Sequence, residues 1–416
     1  MEQYRLTAPR RLDATINLPA SKSISNRALI IYALSGGSHL PQNLSDCDDT
    51  EVIIHAMRHM PEVIDIKAAG TAMRFLTAYL SVMRGTHVIT GTDRMKHRPI
   101  GVLVDALRKL GADIEYVGEQ GFPPLRITGK TLEGGLLEVP GHISSQYISA
   151  LLMIGPMLNE GLTLRLMGDI ISKPYIDLTL WMMGEFGADA EWTSGDTITI
   201  KPKPYTNRSY FIENDWSGAS YWYEMLALSD DPEAEVRLTG LMDGSKQGDS
   251  ITRYIFSLLG VKTTFEKSMK GQPTRIRLRH SGRCVPRLKY DFNNSPDLAQ
   301  TFVVCCALLD VPFHFTGLST LKIKETDRIE ALKREMRKLG YVIHDVNNCE
   351  LFWDGERCEP NIAAGIDTYE DHRMALAFAP AALRVEGLRI NNPLVVTKSY
   401  PYFWDDLAQC GFRIES

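Results

Sequence analysis

The sequence has 416 residues, 44% of them hydrophobic and 23% charged, with a formal net charge of −5 at pH 7. This length and composition predict a globular protein with enough apolar residues for two domain cores, and the acidic balance argues against a nucleic-acid partner. No apolar run reaches the roughly 18 residues that a membrane-spanning helix needs, so we expect a cytoplasmic protein without membrane contact. The seven cysteines, scattered from Cys47 to Cys410 without a CxxC pair, indicate reduced thiols rather than a disulfide framework or a zinc site.

The first predicted helix begins in "ASKSISNR", which brings the cations Lys22 and Arg27 to a helix start. The start of a helix carries partial positive charge, so an exposed cation there costs roughly 0.3–1 kcal/mol. Comparable polar turns recur along the chain, in the order "AAGTAMR", "HISSQY", "DWSGAS", "NNSPDL" and "YEDHRM". The runs that accompany such turns, for example "ISALLMIGPML" and "FVVCCALL", are apolar on nearly every face, which predicts buried helices.

A second pattern alternates with these turns: an amphipathic helix that ends in glycine and leads into a strand. Its copies are "LVDALRKLGADIEY", "TLWMMGEFGADAEW", "YIFSLLGVKTTFE", "LKREMRKLGYVIHD" and "WDDLAQCGFRIES". In a sixth copy, "IIHAMRHMPEVIDI", Met60 and Pro61 replace the Leu-Gly pair. The spacing of about 75 residues predicts six βαβαββ-like units, three to a domain. The alternative is an ordinary α/β protein in which helices and strands simply alternate.

Hydroxyl groups and cations are concentrated in the predicted turns. They include Lys22, Ser23, Arg27, Thr71, Arg74, Ser144, Ser145, Gln146 and Arg373, together with Lys324 and Arg328 on either side of Thr326, a predicted N-cap. A bound anion offsets the cost of a cation at a helix start, so the set predicts binding of phosphorylated ligands. No GxxxxGK[ST] loop and no GxGxxG turn follows a strand, which disfavours nucleotide-binding folds. The alternative is that each cation lies on a solvated face.

Nine motifs in order carry a family resemblance over nearly the full length: "SKSISNRAL", "AGTAMRFL", "RMKHRPIG", "ISSQY", "SKPYIDLTL", "SPDLA", "KETDRIEAL", "DHRMALAF" and "TKSYPYF". Together they resemble the 5-enolpyruvylshikimate-3-phosphate synthases, also called 3-phosphoshikimate 1-carboxyvinyltransferases. The resemblance implies an α/β fold of two inverted α/β barrel-like domains, each built of three βαβαββ repeats, with the first repeat shortened. Residues 1–19 and 213–416 would form one domain, closed by the N-terminal strand, and residues 20–212 the other, with the active site in the interdomain cleft.

The resemblance also implies an activity. The family transfers the enolpyruvyl group of phosphoenolpyruvate to the 5-hydroxyl of shikimate 3-phosphate and releases phosphate, on the pathway to chorismate and the aromatic amino acids. These two anionic substrates are the expected partners, and neither a metal nor an organic cofactor is expected. By the same resemblance we expect a monomeric transferase.

Site residues follow from the resemblance motif by motif. For shikimate 3-phosphate they are Lys22, Ser23, Arg27, Ser144, Ser145, Gln146, Ser172, Tyr175, Asp297 and Lys324. For phosphoenolpyruvate they are Lys22, Gly70, Arg98, Gln146, Arg328, Arg373 and Lys398. The expected catalytic residues are Asp297 as base, Glu325 as proton donor to carbon, Lys22 at the leaving phosphate, and His372 as an assisting group. A carboxylate among many cations should have a lowered pKa, which suits Asp297 but makes Glu325 a reluctant acid.

Some positions depart from the family pattern. The segment from Asp49 to Gly70 is shorter than usual, Ala68 and Phe75 replace an Asn and a Pro that flank "AGTAMR", and Thr320 replaces a substrate-contacting Asn. A non-catalytic scaffold with an eroded site is therefore one alternative. Another is the relative that acts on UDP-N-acetylglucosamine, which needs a reactive Cys that "GTDRMKHRPIG" lacks. A third is an RNA 3′-phosphate cyclase, whose catalytic His near the C-terminus "DHRMALAF" alone does not supply.

Overall fold

A computed structural model describes residues 2–37, 39–266 and 273–416. The chain divides into two compact units: the central unit, Ala20–Ile212, and the C-terminal unit, which joins Met1–Pro19 to Glu213–Ser416. Elements are numbered along the chain, beginning with strands β1 (Gln3–Thr7) and β2 (Asp13–Asn17) of the C-terminal unit. Within these ranges no helix is both long enough and apolar enough to cross a membrane.

The central unit alternates buried and amphipathic helices with short strands. Its helices are α1 (Lys22–Leu34), α2 (Asp48–His59), α3 (Gly70–Val82), α4 (Asp93–Lys96), α5 (Gly101–Lys109), α6 (Ser145–Ile154) and α7 (Lys173–Glu185). Its strands are β3 (Val63–Asp65), β4 (Gly85–Thr90), β5 (Asp113–Tyr116), β6 (Leu125–Gly129), β7 (Gly135–Pro140), β8 (Leu162–Met167), β9 (Ala190–Trp192) and β10 (Thr197–Ile200).

The strands of the central unit pair in one repeated topology. The sheet orders are β3-β4-β6-β5 and β7-β8-β10-β9, and in each sheet the first pair is parallel and the later pairs are antiparallel. The segment that contains α1 contributes an isolated parallel bridge between Gln42 and Phe211 in place of such a sheet, as far as the described residues extend. The first repeat is therefore shortened, as predicted.

The C-terminal unit repeats the same alternation. Its helices are α8 (Trp216–Leu228), α9 (Thr252–Leu258), α10 (Ala299–Leu308), α11 (Arg328–Lys338), α12 (His372–Phe378) and α13 (Phe403–Gln409). Its further strands are β11 (Glu235–Leu241), β12 (Leu259–Phe265), β13 (Thr274–Cys284), β14 (Leu288–Asp291), β15 (Phe313–Thr316), β16 (His344–Val346), β17 (Glu350–Trp353), β18 (Arg389–Asn391) and β19 (Arg413–Glu415).

Both N-terminal strands complete sheets of the C-terminal unit. Strand β2 pairs in parallel with β11 in the order β2-β11-β13-β12, which matches the order of β14-β15-β17-β16. Strand β1 lies between β18 and β19, and a parallel bridge from Ile366 to Ile390 of β18 adds the fourth position of the same pattern. The topology therefore repeats in this unit with strands taken from both ends of the chain.

The apolar helices form the cores, as their composition predicts. Helices α1, α3 and α6 pack on one another in the central unit, and α10 packs on α8 and α12 in the C-terminal unit. Every residue of α12 is buried, as are all those of α10. Helices without a polar face lose exposed apolar surface only when other elements surround them, which explains their position inside each unit.

The glycines that end the amphipathic helices adopt the left-handed backbone that the pattern predicts. Gly111, after α5, has a φ of +97°, and Gly340, after α11, has a φ of +94°. Side chains with a Cβ rarely adopt such values, so glycine is favoured there. In the irregular copy, Met60 ends α2 with a φ of +39°. Hence the helix ends in the same way even where the sequence motif has changed.

Glu224 is fully buried in α8, and neither of its carboxyl oxygens has a hydrogen-bond partner among the described residues. Burial raises its pKa well above the ordinary value. The folded state therefore loses stability as the pH rises above about 4.3, where the carboxyl of the unfolded chain ionises. We expect Glu224→Met to raise the free energy of unfolding by about 1–3 kcal/mol at pH 8, and by less at pH 5.

Urea unfolding at pH 5 and pH 8 measures this effect, with the exposed Glu233→Met as the matched control. An equal gain at both pH values would contradict the assignment of a neutral buried carboxyl.

Candidate active site

Lys22 is the first residue of α1, as predicted. Ser21 caps the helix, and its hydroxyl accepts a hydrogen bond from the Ile24 amide at 3.4 Å. The Lys22 ammonium lies 3.8 Å from a carboxylate oxygen of Asp49, which is buried in the first turn of α2. Sequence reasoning missed Asp49, because nothing in the spacing indicates that the starts of α1 and α2 meet. The ion pair holds a cation at the start of α1 despite the helix dipole.

Arg27 is buried, with 3% of its surface exposed. Its Nε donates to Thr179 Oγ1 at 2.7 Å, its Nη2 to Ser149 Oγ at 3.0 Å, and its Nη1 to the carbonyl oxygen of Ser23 at 2.9 Å. Burial lowers the pKa of Arg27 to about 10, so the side chain remains charged at neutral pH. The guanidinium thus connects the start of α1 to α6 and α7. Ser149 and Thr179 were not predicted, although each is a buried hydroxyl residue within a helix.

A second group surrounds Gly70, the first residue of α3. A Cβ at this position would lie 2.5 Å from Arg98 Nη1 and 2.9 Å from Arg74 Nη1, so the two guanidinium groups approach the backbone closely. Gln146, near the start of α6, donates to Thr71 Oγ1 at 3.1 Å. The starts of α3 and α6 are therefore adjacent, with two arginines beside them.

The predicted hydroxyl residues lie at the starts of α6 and α7. Ser144 caps α6 and accepts from the Gln146 amide at 3.3 Å, and Ser145 is the first helical residue. Ser172 precedes α7 in left-handed backbone with a φ of +54°, and its side chain makes no capping hydrogen bond. Such backbone costs of order 1–3 kcal/mol in a residue other than glycine and is found most often at functional sites. Tyr175 contributes its carbonyl oxygen, which accepts from Thr179 Oγ1 at 2.8 Å.

In the C-terminal unit, Arg328 binds three carboxylates. It is the first residue of α11 and only 1% exposed. Its Nε lies 2.7 Å and its Nη2 3.2 Å from the two oxygens of Asp371, while Nη1 donates to Asp297 at 2.8 Å and Nη2 to Glu325 at 2.9 Å. Burial alone would lower the pKa of Arg328, but these carboxylates raise it above its ordinary value. A permanently charged guanidinium therefore fixes the positions of all three acids.

Asp297 lies among several cations. Besides Arg328, its carboxylate oxygens are 3.1 Å from Arg373 Nη2 and 3.5 Å from Lys324 Nζ. Burial raises the pKa of Asp297, but Arg373, Lys324 and Arg328 together outweigh burial and hold it well below the usual value. Asp297 is therefore ionised at neutral pH.

The remaining predicted residues of this unit lie in the same cluster. Glu325 accepts from Lys398 Nζ at 3.1 Å in addition to its contact with Arg328. His372, the first residue of α12, is 1% exposed, and its Nδ1 lies 3.7 Å from Asp371 Oδ1. The cluster thus combines the cations Lys324, Arg328, Arg373 and Lys398 with the carboxylates Asp297, Glu325 and Asp371.

Tyr221, on α8, is a member of this cluster that sequence reasoning missed. Arg373 Nη1 donates to its hydroxyl oxygen at 3.3 Å, within the buried part of the unit. Burial raises the pKa of Tyr221 to about 12, although Arg373 acts in the opposite direction. The neutral hydroxyl therefore fixes one side of the guanidinium whose other side contacts Asp297.

The cations named as site residues lie partly at helix starts and partly between helices. Lys22 and Arg328 are first residues of helices and Arg373 is a second residue. Arg98 instead lies between α4 and α5, where its amide donates to the Met95 carbonyl oxygen at 3.0 Å. Lys324 follows, and Lys398 ends, short 3₁₀ segments. Lys and Arg side chains are long, so a segment between helices can supply a cation as well as a helix start can.

The predicted N-cap at Thr326 is wrong. Asp327 caps α11, and its carboxylate accepts from the Glu330 amide at 3.1 Å. The helix therefore begins one residue later than predicted. A carboxylate at this position satisfies a free amide and also interacts favourably with the helix dipole, which favours Asp over Thr.

The residue clusters of the two units have a common chemistry. Each gathers Lys and Arg side chains, which bind phosphate and carboxylate groups, and the C-terminal unit adds carboxylates suited to proton transfer. Across the described residues, no group of three or more His, Cys, Asp or Glu side chains could hold a metal ion. The arrangement suits small molecules that carry several negative charges.

A family model described as EPSP synthase (3-phosphoshikimate 1-carboxyvinyltransferase) matches residues 6–64 and 59–407. The chain is 60% identical over 413 residues to a 3-phosphoshikimate 1-carboxyvinyltransferase of Bacteroides fragilis, with 99% of each chain covered. It is 34% identical to the enzyme of the same name from Photobacterium profundum, over 98% of this chain and 99% of the relative.

Among solved structures, an EPSP synthase from Acinetobacter baumannii matches with a TM-score of 0.78 and 22% identity, over 100% of both chains. The enolpyruvyl transferase NikO from Streptomyces tendae matches with a TM-score of 0.72 and 16% identity, over 99% of this chain and 98% of that one. These likenesses confirm the predicted α/β fold class. The family match and the full-length identities establish more than the fold: the chain belongs to the EPSP synthase family.

Proposed function

We propose that this chain is a transferase that moves the enolpyruvyl group of phosphoenolpyruvate to the 5-hydroxyl of shikimate 3-phosphate and releases phosphate. The reaction belongs to the route to chorismate and the aromatic amino acids. The name of the 60% identical relative supports the assignment, since 99% of both chains is covered. The structural observation that carries it is Asp297, a carboxylate kept ionised by Arg328, Arg373 and Lys324. We further propose that the enzyme acts in the cytoplasm as a monomer, because one chain supplies every group that the reaction needs.

In this proposal, shikimate 3-phosphate is bound by hydroxyl groups and cations at the starts of α1, α6 and α7. Ser23, Ser144, Ser145 and Ser172 donate to its phosphate and carboxylate oxygens. Arg27, whose guanidinium also holds the carbonyl oxygen of Ser23, approaches the ring hydroxyls. Lys324 joins the serines at the phosphate, and Asp297 approaches a ring hydroxyl.

Phosphoenolpyruvate is bound by cations of both units. Gly70 supports this role, because the absence of a Cβ allows Arg98 and Arg74 to approach the start of α3. Arg328 and Arg373 provide guanidinium groups whose planar donors match carboxylate and phosphate oxygens. Lys22 and Lys398 add point charges, and Gln146 adds amide donors. Together these groups balance the charge of a small trianionic substrate.

The chemistry has an addition step and an elimination step. Asp297 takes the proton of the 5-hydroxyl while that oxygen bonds to C2 of phosphoenolpyruvate. Glu325, which must carry a proton in the substrate complex to act as an acid, gives it to the methylene carbon, C3. In the resulting tetrahedral intermediate, the C–O bond to phosphate then breaks and C3 loses a proton, which restores the double bond. Lys22 neutralises the departing phosphate, and His372 assists through Asp371, which it approaches at 3.7 Å.

Phosphate release tests the proposed function. We expect phosphate to appear only when phosphoenolpyruvate and shikimate 3-phosphate are supplied together, because neither substrate alone completes the addition step. Parallel reactions contain phosphoenolpyruvate alone, or phosphoenolpyruvate with UDP-N-acetylglucosamine. Release with the UDP-sugar instead would identify the other transferase activity. The absence of release in every mixture would favour a non-catalytic scaffold.

A further inference from the structure

The segment immediately before Asp371 has unusual backbone geometry. Tyr369 has a φ of +53° and Glu370 a φ of +57°, so two consecutive residues with side chains adopt the left-handed conformation. Residues with a Cβ adopt this conformation rarely and singly, and surrounding contacts must hold it in place. Asp371 comes next, and it binds Arg328 and caps α12 through the Arg373 amide at 3.0 Å. The unusual backbone therefore leads directly into the cluster around Arg328.

A fully buried carboxylate of α11 holds this segment. Tyr369 donates its hydroxyl to Glu335 Oε1 at 2.6 Å. The other oxygen of Glu335 accepts from the Asp367 amide at 2.9 Å and lies 2.7 Å from Lys338 Nζ. Glu335 is 0% exposed, so these bonds are made away from solvent, where charge-assisted hydrogen bonds are strong. Nothing in the proposed reaction uses Glu335 or Tyr369 directly.

Further contacts fix the opposite side of the segment. Thr368 Oγ1 donates to the Asn391 carbonyl oxygen at 3.0 Å, and the Asp371 amide donates to the Thr368 carbonyl oxygen at 2.8 Å. Asn391 Nδ2 also donates to Asp367 Oδ1 at 2.7 Å. The segment from Asp367 to Asp371 is thus attached both to α11 and to the end of β18.

The spacing along α11 connects these contacts to the cluster around Arg328. Arg328 and Glu335 are seven residues apart, which is two helical turns and therefore one face of the helix. Both are buried, and both bind residues 367–371: Arg328 binds Asp371 at one end, and Glu335 binds Asp367 and Tyr369 at the other. A rigid helix thereby sets the distance between the guanidinium and the loop that carries its carboxylate partner.

We propose that Tyr369 and Glu335 are positioning residues for phosphoenolpyruvate binding. Their hydrogen bond keeps Tyr369 and Glu370 in left-handed backbone, and that backbone places Asp371 against Arg328 and Arg373 at the start of α12. The substrate named in this inference, phosphoenolpyruvate, rests on the proposed function. The positioning itself is a property of the loop and can be measured without turnover.

The decisive variant is Tyr369→Phe, which removes one hydroxyl and keeps the ring. We expect the KM for phosphoenolpyruvate to rise about tenfold while the KM for shikimate 3-phosphate changes less than about twofold, because the displaced groups are Arg328 and Arg373. Amide hydrogen exchange in the peptide that contains residues 371–374 should accelerate about tenfold in the absence of substrates. Glu335→Gln, which keeps an oxygen that can accept from Tyr369, should give smaller changes of the same kind.

Tyr223→Phe is the matched control, since Tyr223 is also buried in the C-terminal unit and its hydroxyl bonds to Thr263 at 2.8 Å. It should leave the exchange of residues 371–374 and both KM values unchanged. The positioning role would be overturned if Tyr369→Phe kept the KM values and the exchange rate of the wild-type protein. An equal rise in the KM for both substrates would also overturn it. If the wild-type protein releases no phosphate, the proposed function fails, and faster exchange confined to Tyr369→Phe and Glu335→Gln still supports the positioning role.

Discussion

Asp297→Asn is expected to lower kcat by about 10²–10⁴, the range attributed to a general base. The amide has nearly the shape of the carboxylate, but it cannot accept the proton of the substrate hydroxyl. Arg328, Arg373 and Lys324 hold the pKa of Asp297 well below its usual value, so the wild-type base is ionised throughout the accessible pH range. Steady-state phosphate release at saturating concentrations of both substrates measures the loss.

The lowered pKa also sets the expected pH dependence. Asp297 contributes stability above the unfolded-state pKa of about 3.9 and loses that contribution only as the pH falls further, through its folded-state pKa. Neither kcat nor stability should therefore fall between pH 7 and 5 through protonation of Asp297. The control is Asp327→Asn, because Asn also caps helices well and α11 should keep its N-cap. Near-normal turnover by Asp297→Asn would remove Asp297 from the role of base.

Arg328→Met is expected to lower the free energy of unfolding by about 3–5 kcal/mol and to abolish turnover. Breaking a buried ion pair by removal of one partner leaves the other charge without compensation, and this substitution deprives Asp371, Asp297 and Glu325 of their shared cation. Methionine fills much of the volume, so the effect reports charge more than packing. Urea unfolding at pH 7 measures the stability change.

Arg337→Met is the matched control, since Arg337 is exposed on the same helix and the same residue types are exchanged. Its effect should stay within about 0.5 kcal/mol. A loss below about 1 kcal/mol in Arg328→Met would show that solvent compensates the carboxylates and that the cluster is less buried than the structure indicates.

The repeated units could be predicted from sequence because local sequence patterns are enough to determine the helices and strands of each unit. A glycine such as Gly340 after an amphipathic helix fixes a left-handed end, and a run such as that of α10 has no polar face to expose. Residue types at the site were equally visible, since Lys22 and Arg328 do begin helices. The assignment of the N-terminal strand to the same domain as residues 213–416 came instead from the family resemblance.

The partners of those residues could not be predicted, because they are brought together by packing between distant segments. Asp49 approaches Lys22, and Ser149 and Thr179 bind Arg27. Each partner is distant from its cation in the sequence, and no sequence pattern indicates that the two are in contact. The prediction of the N-cap of α11 was wrong for a simpler reason. Thr326 and Asp327 are adjacent and both suit a cap, so only the backbone path decides between them.

The placement of β1 and β2 has a consequence for the order in which the chain assembles during synthesis. Arg5 of β1 pairs with Glu415 of β19, so this sheet cannot close until Glu415, far along the chain, has left the ribosome. All the strands of Ala20–Ile212 emerge earlier and pair among themselves. Non-local pairings of this kind form slowly, because a very long loop must close first. Nascent chains should therefore hold a finished central unit while β1 remains unpaired, which makes the neighbourhood of β1 a poor place for a bulky insertion.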